Sequence, residues 1–365
     1  MKILIPILGF GRAGGNRVLS NLANEWIKEG HEVCFLCPSS SGAPYFPTQA
    51  RILWCGPRGG VFSQRPERAS YGGVGNMIAL YRGLNAVGSK HDLILANQSL
   101  TAWPVALAAA GSARKAYYVQ GYEPEFYLLR KQARAVVAAL LSALSYHLPL
   151  QRIVNAQLYC RYRNLRAGLV VPPGLDLSLF RPAGRRGDLA SADVIVLGCL
   201  GRPDAEKGTE YALRAFEMLY AQDQRYRLRI AYYRPEHWRH PACELVVPEN
   251  DAQLADYYRS LDVILAPATG QPGSPHYPVL EGGASGIAVV TTGYEGVGYL
   301  GATHETAWLV EQKSAQAIVQ AVQCLVAQPA LREERKDRFL ALVREFSWPS
   351  VSGSMLKAIF SDRLK

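Results

Sequence analysis

This sequence predicts an α/β architecture of two similar units, each a parallel sheet covered by helices. Three observations carry that prediction. Short apolar runs alternate with amphipathic stretches through both halves of the chain. At 365 residues the chain exceeds one typical core and suits two domains. A Pro/Gly-rich, partly charged segment from Pro172 to Gly187 lies between the halves and has the character of a linker.

Taken in order, the first half predicts strands at 2–8, 32–37, 51–54, 92–96, 116–120 and 168–172, each a short apolar run. Helices fit 15–29, 74–87, 101–110, 126–146 and 156–163. The second half repeats the plan, with strands at 194–200, 227–233, 244–247, 262–266, 287–292 and 307–310. Its helices are expected at 207–222, 251–260, 278–285 and 313–327, and the tail after Trp348-Pro349 has a helical pattern of its own.

Hydrophobic residues make up 49% of the chain and charged residues 19%, which excludes a disordered polypeptide. No apolar run reaches the roughly 18–20 residues of a membrane span. Ala135 to Leu150 comes nearest, but Ser142, Ser145, His147 and Pro149 interrupt it, so it reads as a buried or interfacial helix. Met1 to Leu8 is too short for a signal sequence and reads as a first strand, so a cytoplasmic location is expected. The seven cysteines are scattered, and Cys34 and Cys37 lack the other half of a zinc site; buried reduced thiols are expected.

Charge is divided unevenly. Residues 1–174 hold 19 Lys+Arg and 7 Asp+Glu, a net of +12, whereas residues 175–365 hold 21 and 23, a net of −2. Contact with anionic lipid headgroups or a phosphorylated acceptor is one reading of the excess, and an ordinary solvated basic face is the other. Nucleic acid is not an expected partner, because no basic helix interleaved with aromatic residues accompanies the charge.

Three loops carry candidate chemistry. The first strand runs into Gly9-Phe10-Gly11-Arg12-Ala13-Gly14-Gly15, where glycines let backbone approach a phosphate or sugar at a helix N-terminus. The second strand ends at Cys37-Pro38 without the acidic residue that binds a dinucleotide ribose, which argues against a redox enzyme; a purely structural turn is the alternative. Strand 194–200 ends in Gly201-Arg202-Pro203-Asp204-Ala205-Glu206-Lys207-Gly208, so Arg202 and Lys207 flank one strand-to-helix loop and can both reach a pyrophosphate. From Asp262 to Thr292, a strand, a Gly/Pro/Ser loop and a small-residue helix bearing Glu281 converge where an anionic, hydroxyl-rich ligand can sit.

These loops, with the run Gln253 to Val263, Ala284-Ser285-Gly286, Gly14-Gly15 before Arg17, and Pro173-Gly174-Leu175-Asp176 with Phe180-Arg181-Pro182, resemble the large retaining GT-B glycosyltransferase family, glycosyltransferase family four type. The resemblance spans nearly the whole chain. It implies two Rossmann-like domains facing across a cleft: an acceptor-binding domain at 1–174, joined by a closing helix at 347–365, and a donor-binding domain at 175–346. It also implies that Arg202 and Lys207 hold the diphosphate beside Gly201, and that Glu281 binds the nucleoside ribose. Backbone around Ser274, Pro275, His276, Tyr277, Pro278 and Val279 would meet the donor sugar and phosphate, with Gly14 and Gly15 closing from the other side.

Two departures stand out. Gly273 occupies the position of the family's first glutamate, and Gln120 replaces a histidine after the fifth strand. Val119-Gln120-Gly121-Tyr122-Glu123-Pro124-Glu125-Phe126-Tyr127 and Ser274-Pro275-His276-Tyr277-Pro278-Val279-Leu280-Glu281 are similar to bacterial rhamnosyltransferases of surface-polysaccharide synthesis. That similarity implies dTDP-L-rhamnose as donor and a glycan or lipid-linked precursor as acceptor. A site for a 6-deoxy sugar need not satisfy the absent hydroxyl. Gln120, Tyr122 and Glu123 are the candidate acceptor or sugar contacts. Glu123 and Glu125 read equally as helix-start carboxylates, and His276 as a loop cap. No Asp-x-Asp lies near the donor loop, so no metal and no cofactor beyond the sugar nucleotide are expected. Peripheral contact with the inner face of a cell membrane is expected from the basic half. An epimerase of the same fold, or a non-catalytic sugar-nucleotide or glycan-binding protein, are the alternatives.

Overall fold

In the computed structural model the chain forms two units, Met1–Gly174 with Trp348–Lys365, and Leu175–Ser347. The structure describes all residues except 12, 67–69, 129–132, 185–186, 270–276, 293–303 and 362–365, and gives no side chains for 133–134.

The first unit runs β1 (Lys2–Pro6), α1 (Gly14–Lys28), β2 (Glu32–Pro38), β3 (Arg51–Cys55), β4 (Val61–Phe62) and α2 (Gly72–Val87). It continues with β5 (Leu93–Ala96), α3 (Ser99–Leu107), β6 (Arg114–Val119), α4 (Glu123–Leu128), α5 (Ala133–Ser145), β7 (Gln151–Val154) and β8 (Leu169–Val170). Its sheet has the order β4-β3-β2-β1-β5-β6-β7-β8, parallel except for the β3–β4 pair. Helix α1 buries Val18, Leu19, Leu22, Ala23 and Trp26, a helical spacing that turns one face to the sheet.

The second unit contains β9 (Ile195–Leu200), α6 (Thr209–Gln222), β10 (Tyr226–Ala231), β11 (Cys243–Val246), α7 (Asp251–Arg259), β12 (Val263–Ala266) and α8 (Tyr277–Ala284). After these come β13 (Ala288–Thr292), β14 (Trp308–Val310), α9 (Ala315–Ala327) and α10 (Pro329–Val343). The sheet order is β11-β10-β9-β12-β13-β14, all parallel, which is the order of a Rossmann sheet. The two segments that pass between units lie side by side, since Leu175 donates its backbone N–H to the Phe346 carbonyl at 2.7 Å.

Helix α11 (Trp348–Phe360) belongs to the first unit. It buries Trp348, Val351, Met355 and Ile359 in the core that holds Trp26 and Phe35, and the Trp26 indole donates to the Ser352 carbonyl at 3.3 Å. Full burial of each such side chain contributes about 1.5–3 kcal/mol, so a helix distant in sequence is part of this unit's core.

Several elements differ from the sequence expectation. The helix expected at 126–146 is two helices, α4 and α5; α4 starts early because Glu123, Pro124 and Glu125 all favour a first helical turn. The stretch at 156–163 holds only a 3₁₀ turn, Gln157–Arg161. Strand β7 was not anticipated, because only Ile153 and Val154 of its four residues are buried and Arg152 breaks the apolar run. Helix α10 was missed for a related reason: Pro329 looks like a terminator but occupies the first turn of a new helix, whose long charged run buries only Arg332, Phe339 and Val343. Cys37, Cys55 and Cys199 are buried free thiols, with Cys37 pushed up to about 12 by burial, whereas the other four cysteines are only partly buried. Among the described residues no helix is long and apolar enough to cross a membrane.

Candidate functional site

Strands β9 and β12 are sequence-distant neighbours, paired Val263↔Leu197 and Leu265↔Cys199. Their register sets the loops that leave their C-terminal ends side by side. The chain order of the sheet reverses at this pair, and ligands of open α/β sheets bind at such a switch point. Arg202 and Lys207 follow β9, and Glu281 lies in the helix that follows β12.

The β9–α6 loop is a built turn. The Thr209 hydroxyl accepts from the Arg202 N–H and donates to the Arg202 carbonyl, both at 2.9 Å. Ala205 to Lys207 form a 3₁₀ turn, and Gly208 then adopts φ +69° before α6 begins. A Cβ on Gly208 would lie 2.0 Å from the Pro267 carbonyl oxygen, so this loop presses against the backbone that leaves β12. A 2.6 Å hydrogen bond from the Thr269 N–H to the Glu206 carbonyl joins the two loops. Gly201 is equally constrained, because its Cβ would sit 1.8 Å from the Tyr233 carbonyl oxygen.

Arg202 is exposed, and its guanidinium lies over the Tyr232 ring, 5.0 Å from the centroid. Tyr232 follows β10 and holds φ +69°, a left-handed conformation that a tyrosine rarely adopts and that strained functional loops often contain. Tyr232 packs against the core that holds Tyr258, whose hydroxyl donates to Glu281 Oε2 at 2.8 Å. Glu281 is only 2% exposed. Burial and the adjoining Glu281 carboxylate push the Tyr258 hydroxyl far up, so it stays protonated and donates. Arg202 on Tyr232 and Tyr258 on Glu281 are thus two paired contacts on one side of the same core. Lys207 is half-buried; burial, and to a lesser extent Arg202, push its ammonium down, while Glu206 and Asp204 pull it up. An anion arriving here would relieve two neighbouring cations of their mutual cost.

In the first unit, Gly14 and Gly15 open α1, and a Cβ on Gly15 would meet the Gln120 amide nitrogen at 3.1 Å. Gln120 donates to the Gly15 carbonyl at 3.4 Å, a long bond, and its own carbonyl accepts from Asn155 at 3.1 Å. Tyr122 stacks on Tyr162 with ring centroids 4.0 Å apart and on Tyr146 at 5.7 Å. Glu123 is engaged within its own unit: Oε1 accepts from the Ser99 N–H at 2.8 Å and from Tyr117 at 3.1 Å, and Oε2 accepts from the Ser99 hydroxyl at 2.6 Å. The residue keeps some surface, but its carboxylate is packed deeply enough that burial pushes it up in spite of these donors. Its geometry is that of a strut between the start of α3 and the Gln120–Tyr122 loop.

Residues 12–178 match the family model described as Glycosyltransferase Family 4, and residues 194–328 match that described as Glycosyl transferases group 1, together most of the chain. This chain belongs to the GT-B glycosyltransferases. Among curated proteins it is similar to the D-inositol 3-phosphate glycosyltransferase of Corynebacterium glutamicum (strain R), 25% identical over 218 residues, covering 53% of this chain and 51% of that one. It spans about half the length of the curated relatives it matches. Among solved structures, Anabaena HepE in complex with UDP superposes with a TM-score of 0.73 at 14% identity, covering 99% of this chain and 100% of that one. Sucrose-phosphate synthase from Thermosynechococcus elongatus superposes with a TM-score of 0.69 at 18% identity, covering 98% and 97%. At such identities these likenesses speak for the fold: two Rossmann-like domains of the GT-B type.

Of the site residues expected for this glycosyltransferase, the second unit brings Gly201, Arg202, Lys207 and Glu281 to one end of one sheet. Tyr277, Pro278 and Val279 form the first turn of α8, with the Val279 side chain fully buried, so that residue can present only its backbone. Gly273, Ser274, Pro275 and His276 lie outside the described residues. Gly14, Gly15, Gln120, Tyr122 and Glu123 gather at one end of the other sheet. Tyr232 and Tyr258 were not anticipated. Tyr258 sits in the run that carried the resemblance, but only as a helical residue. For Tyr232 the sequence offers no signal beyond its place at the end of a strand. Among the described residues no group of three or more His, Cys, Asp or Glu is placed to hold a metal ion.

Proposed function

We propose that this protein is a retaining, metal-independent glycosyltransferase that moves a sugar from a nucleoside diphosphate to an acceptor hydroxyl. The observation that carries the reading is the pair of joined loops at the switch point of a Rossmann-type sheet, one bearing Arg202 and Lys207 and the other leading into the helix of the buried Glu281. Two cations suit a diphosphate and a carboxylate suits ribose hydroxyls. In this reading the bond between the anomeric carbon and the β-phosphate oxygen breaks while the acceptor oxygen bonds to that carbon from the same face. The acceptor proton passes to the departing phosphate oxygen. Arg202 and Lys207 stabilise the charge that grows there, a contribution larger in the transition state than in the bound donor. Turnover is expected to survive chelation of divalent metals.

For the sugar we propose a deoxyhexose, with dTDP-L-rhamnose the leading donor, because Gly273 and Gln120 replace the polar residues that the wider family places near sugar hydroxyls. For the acceptor, a surface glycan or its lipid-linked precursor is the first reading. A phosphorylated cyclitol is the second, favoured by the named activity of the curated relatives and by the basic first half. The test is thermal-shift screening against dTDP-rhamnose and UDP, GDP and ADP sugars, where a donor at about one hundred times its dissociation constant adds about 2.7 kcal/mol. Transfer of labelled sugar to a glycan fraction or to inositol 3-phosphate follows. A donor that binds but is altered without any acceptor would replace transfer with epimerisation, and binding without turnover would leave a sugar-nucleotide-binding protein.

A further inference from the structure

Tyr232 occupies a turn that a tyrosine seldom enters. Strand β10 ends at Ala231, and the chain then closes a three-residue γ-turn: the Tyr233 N–H donates to the Ala231 carbonyl at 2.9 Å across Tyr232, whose φ is +69°. This form of the γ-turn is rare and strained, because a side chain at positive φ crowds its own backbone. The strands on either side hold it in place. The Tyr232 N–H donates to the Val246 carbonyl at the end of β11 at 2.8 Å, and the Ala231 carbonyl also accepts from the Gly201 N–H at 2.9 Å. Strain that its surroundings over-determine in this way gathers at ligand sites. A glycine would make the same turn without the cost, so what the tyrosine adds is its ring.

That ring lies under the Arg202 guanidinium, 5.0 Å from centroid to Cζ. The Arg202 backbone is fixed at both its N–H and its carbonyl by the Thr209 hydroxyl, whereas its side chain is exposed. An exposed arginine has many rotamers to lose, and Asp204 and Glu206 in the same loop compete for its charge. An aromatic face restrains the guanidinium without engaging a carboxylate, which leaves its N–H donors for an anion. We infer that Tyr232 is a positioning residue: its strained turn sets the ring that holds Arg202 ready for the diphosphate of the donor. The inference rests on the reading of Arg202 as a diphosphate ligand, and its experiment separates the two.

The experiment is calorimetric titration of the full chain with UDP, dTDP, GDP and ADP, and then of the variants with whichever nucleotide binds tightest. Tyr232→Gly, which suits the turn but lacks the ring, is expected to melt within about 4 °C of wild type and to bind about tenfold more weakly. Tyr232→Phe, which retains the ring, is expected to recover affinity to within about threefold of wild type. In an Arg202→Ala background, Tyr232→Gly is expected to cost less than about twofold further, because the ring then has no guanidinium to hold. Full affinity in a folded Tyr232→Gly protein, while Arg202→Ala weakens binding, overturns the inference alone. An equal loss in Tyr232→Phe, or an undiminished loss in the Arg202→Ala background, overturns it too. Unchanged affinity in Arg202→Ala itself, or failure of wild type to bind any of the four nucleotides, overturns the donor reading and the inference with it. Should Tyr232→Gly not fold, Tyr232→Asn, whose side chain also tolerates positive φ, takes its place.

Discussion

The hydroxyl of Tyr258 donates a 2.8 Å hydrogen bond to the carboxylate of Glu281, and both groups are buried. A buried carboxylate is costly to ionise, and a dedicated donor both lowers that cost and orients its oxygens. Tyr258→Phe is therefore expected to lose about 1–3 kcal/mol of stability. It is also expected to weaken donor binding while leaving the sheet intact. Urea unfolding and calorimetric titration with the nucleoside diphosphate check the two effects. Unchanged affinity would separate Glu281 from the donor.

Lys207 illustrates a different balance. Burial and Arg202 hold its ammonium below the usual lysine value, so in the higher pH range the unfolded chain binds more protons than the folded one. Stability associated with this group then rises with pH through the window from its lowered value up to 10.5, and at neutral pH the charged lysine is a cost. Lys207→Ala is expected to leave the melting temperature of the free protein unchanged or slightly raised. Turnover should fall by roughly 100-fold to 1000-fold, the range seen when a transition-state charge donor is removed. Differential scanning fluorimetry and labelled-sugar transfer read the two outcomes.

Close backbone approach at Gly208 predicts a large penalty for a single methyl group. Gly208→Ala must relieve a contact with the Pro267 carbonyl oxygen at a left-handed φ. A loss of about 2–3 kcal/mol is expected, combining backbone strain and overpacking. Because the contact joins the two candidate donor loops, affinity for a nucleoside diphosphate should fall in parallel, which titration of the folded variant measures.

Glu123 is expected to behave as a structural carboxylate. Glu123→Ala leaves the Ser99 N–H and the buried Tyr117 hydroxyl without their acceptor, at a cost of about 1–3 kcal/mol. Glu123→Gln keeps the shape. Since burial raises the Glu123 pKa above its usual 4.5, the folded state holds its proton more tightly, and the stability this gives below 4.5 is lost as pH rises through the folded value. The glutamine variant should show a shallower decline over that window in denaturant midpoints measured against pH. An identical profile would place the pH dependence elsewhere.

Much of the molecule is legible in its sequence, and the reason is local. Apolar runs punctuated by Gly, Pro and Ser determine the alternation of strands and helices in both units, because backbone sterics and one-sided burial act over a few residues. The residue types at Arg202, Lys207 and Glu281 point to an anion and hydroxyl site only in combination, two cations in one strand-to-helix loop and a carboxylate on the helix after another strand. What those residues meet is decided by contacts between distant parts of the chain. The register of β9 against β12 seats Gly208 on Pro267, the left-handed turn after β10 brings Tyr232 under Arg202, and helix α7 supplies Tyr258 to Glu281. Glu123 shows the same limit from the other side: its position suggested a ligand contact, and the fold directs its carboxylate to Ser99 and Tyr117. The stretch that contains α5 reads in the sequence as a buried or interfacial helix, and only its packing with α3 and α4 decides which face turns inward. Small residues fitted inside, and the Val and Leu side chains were left facing out.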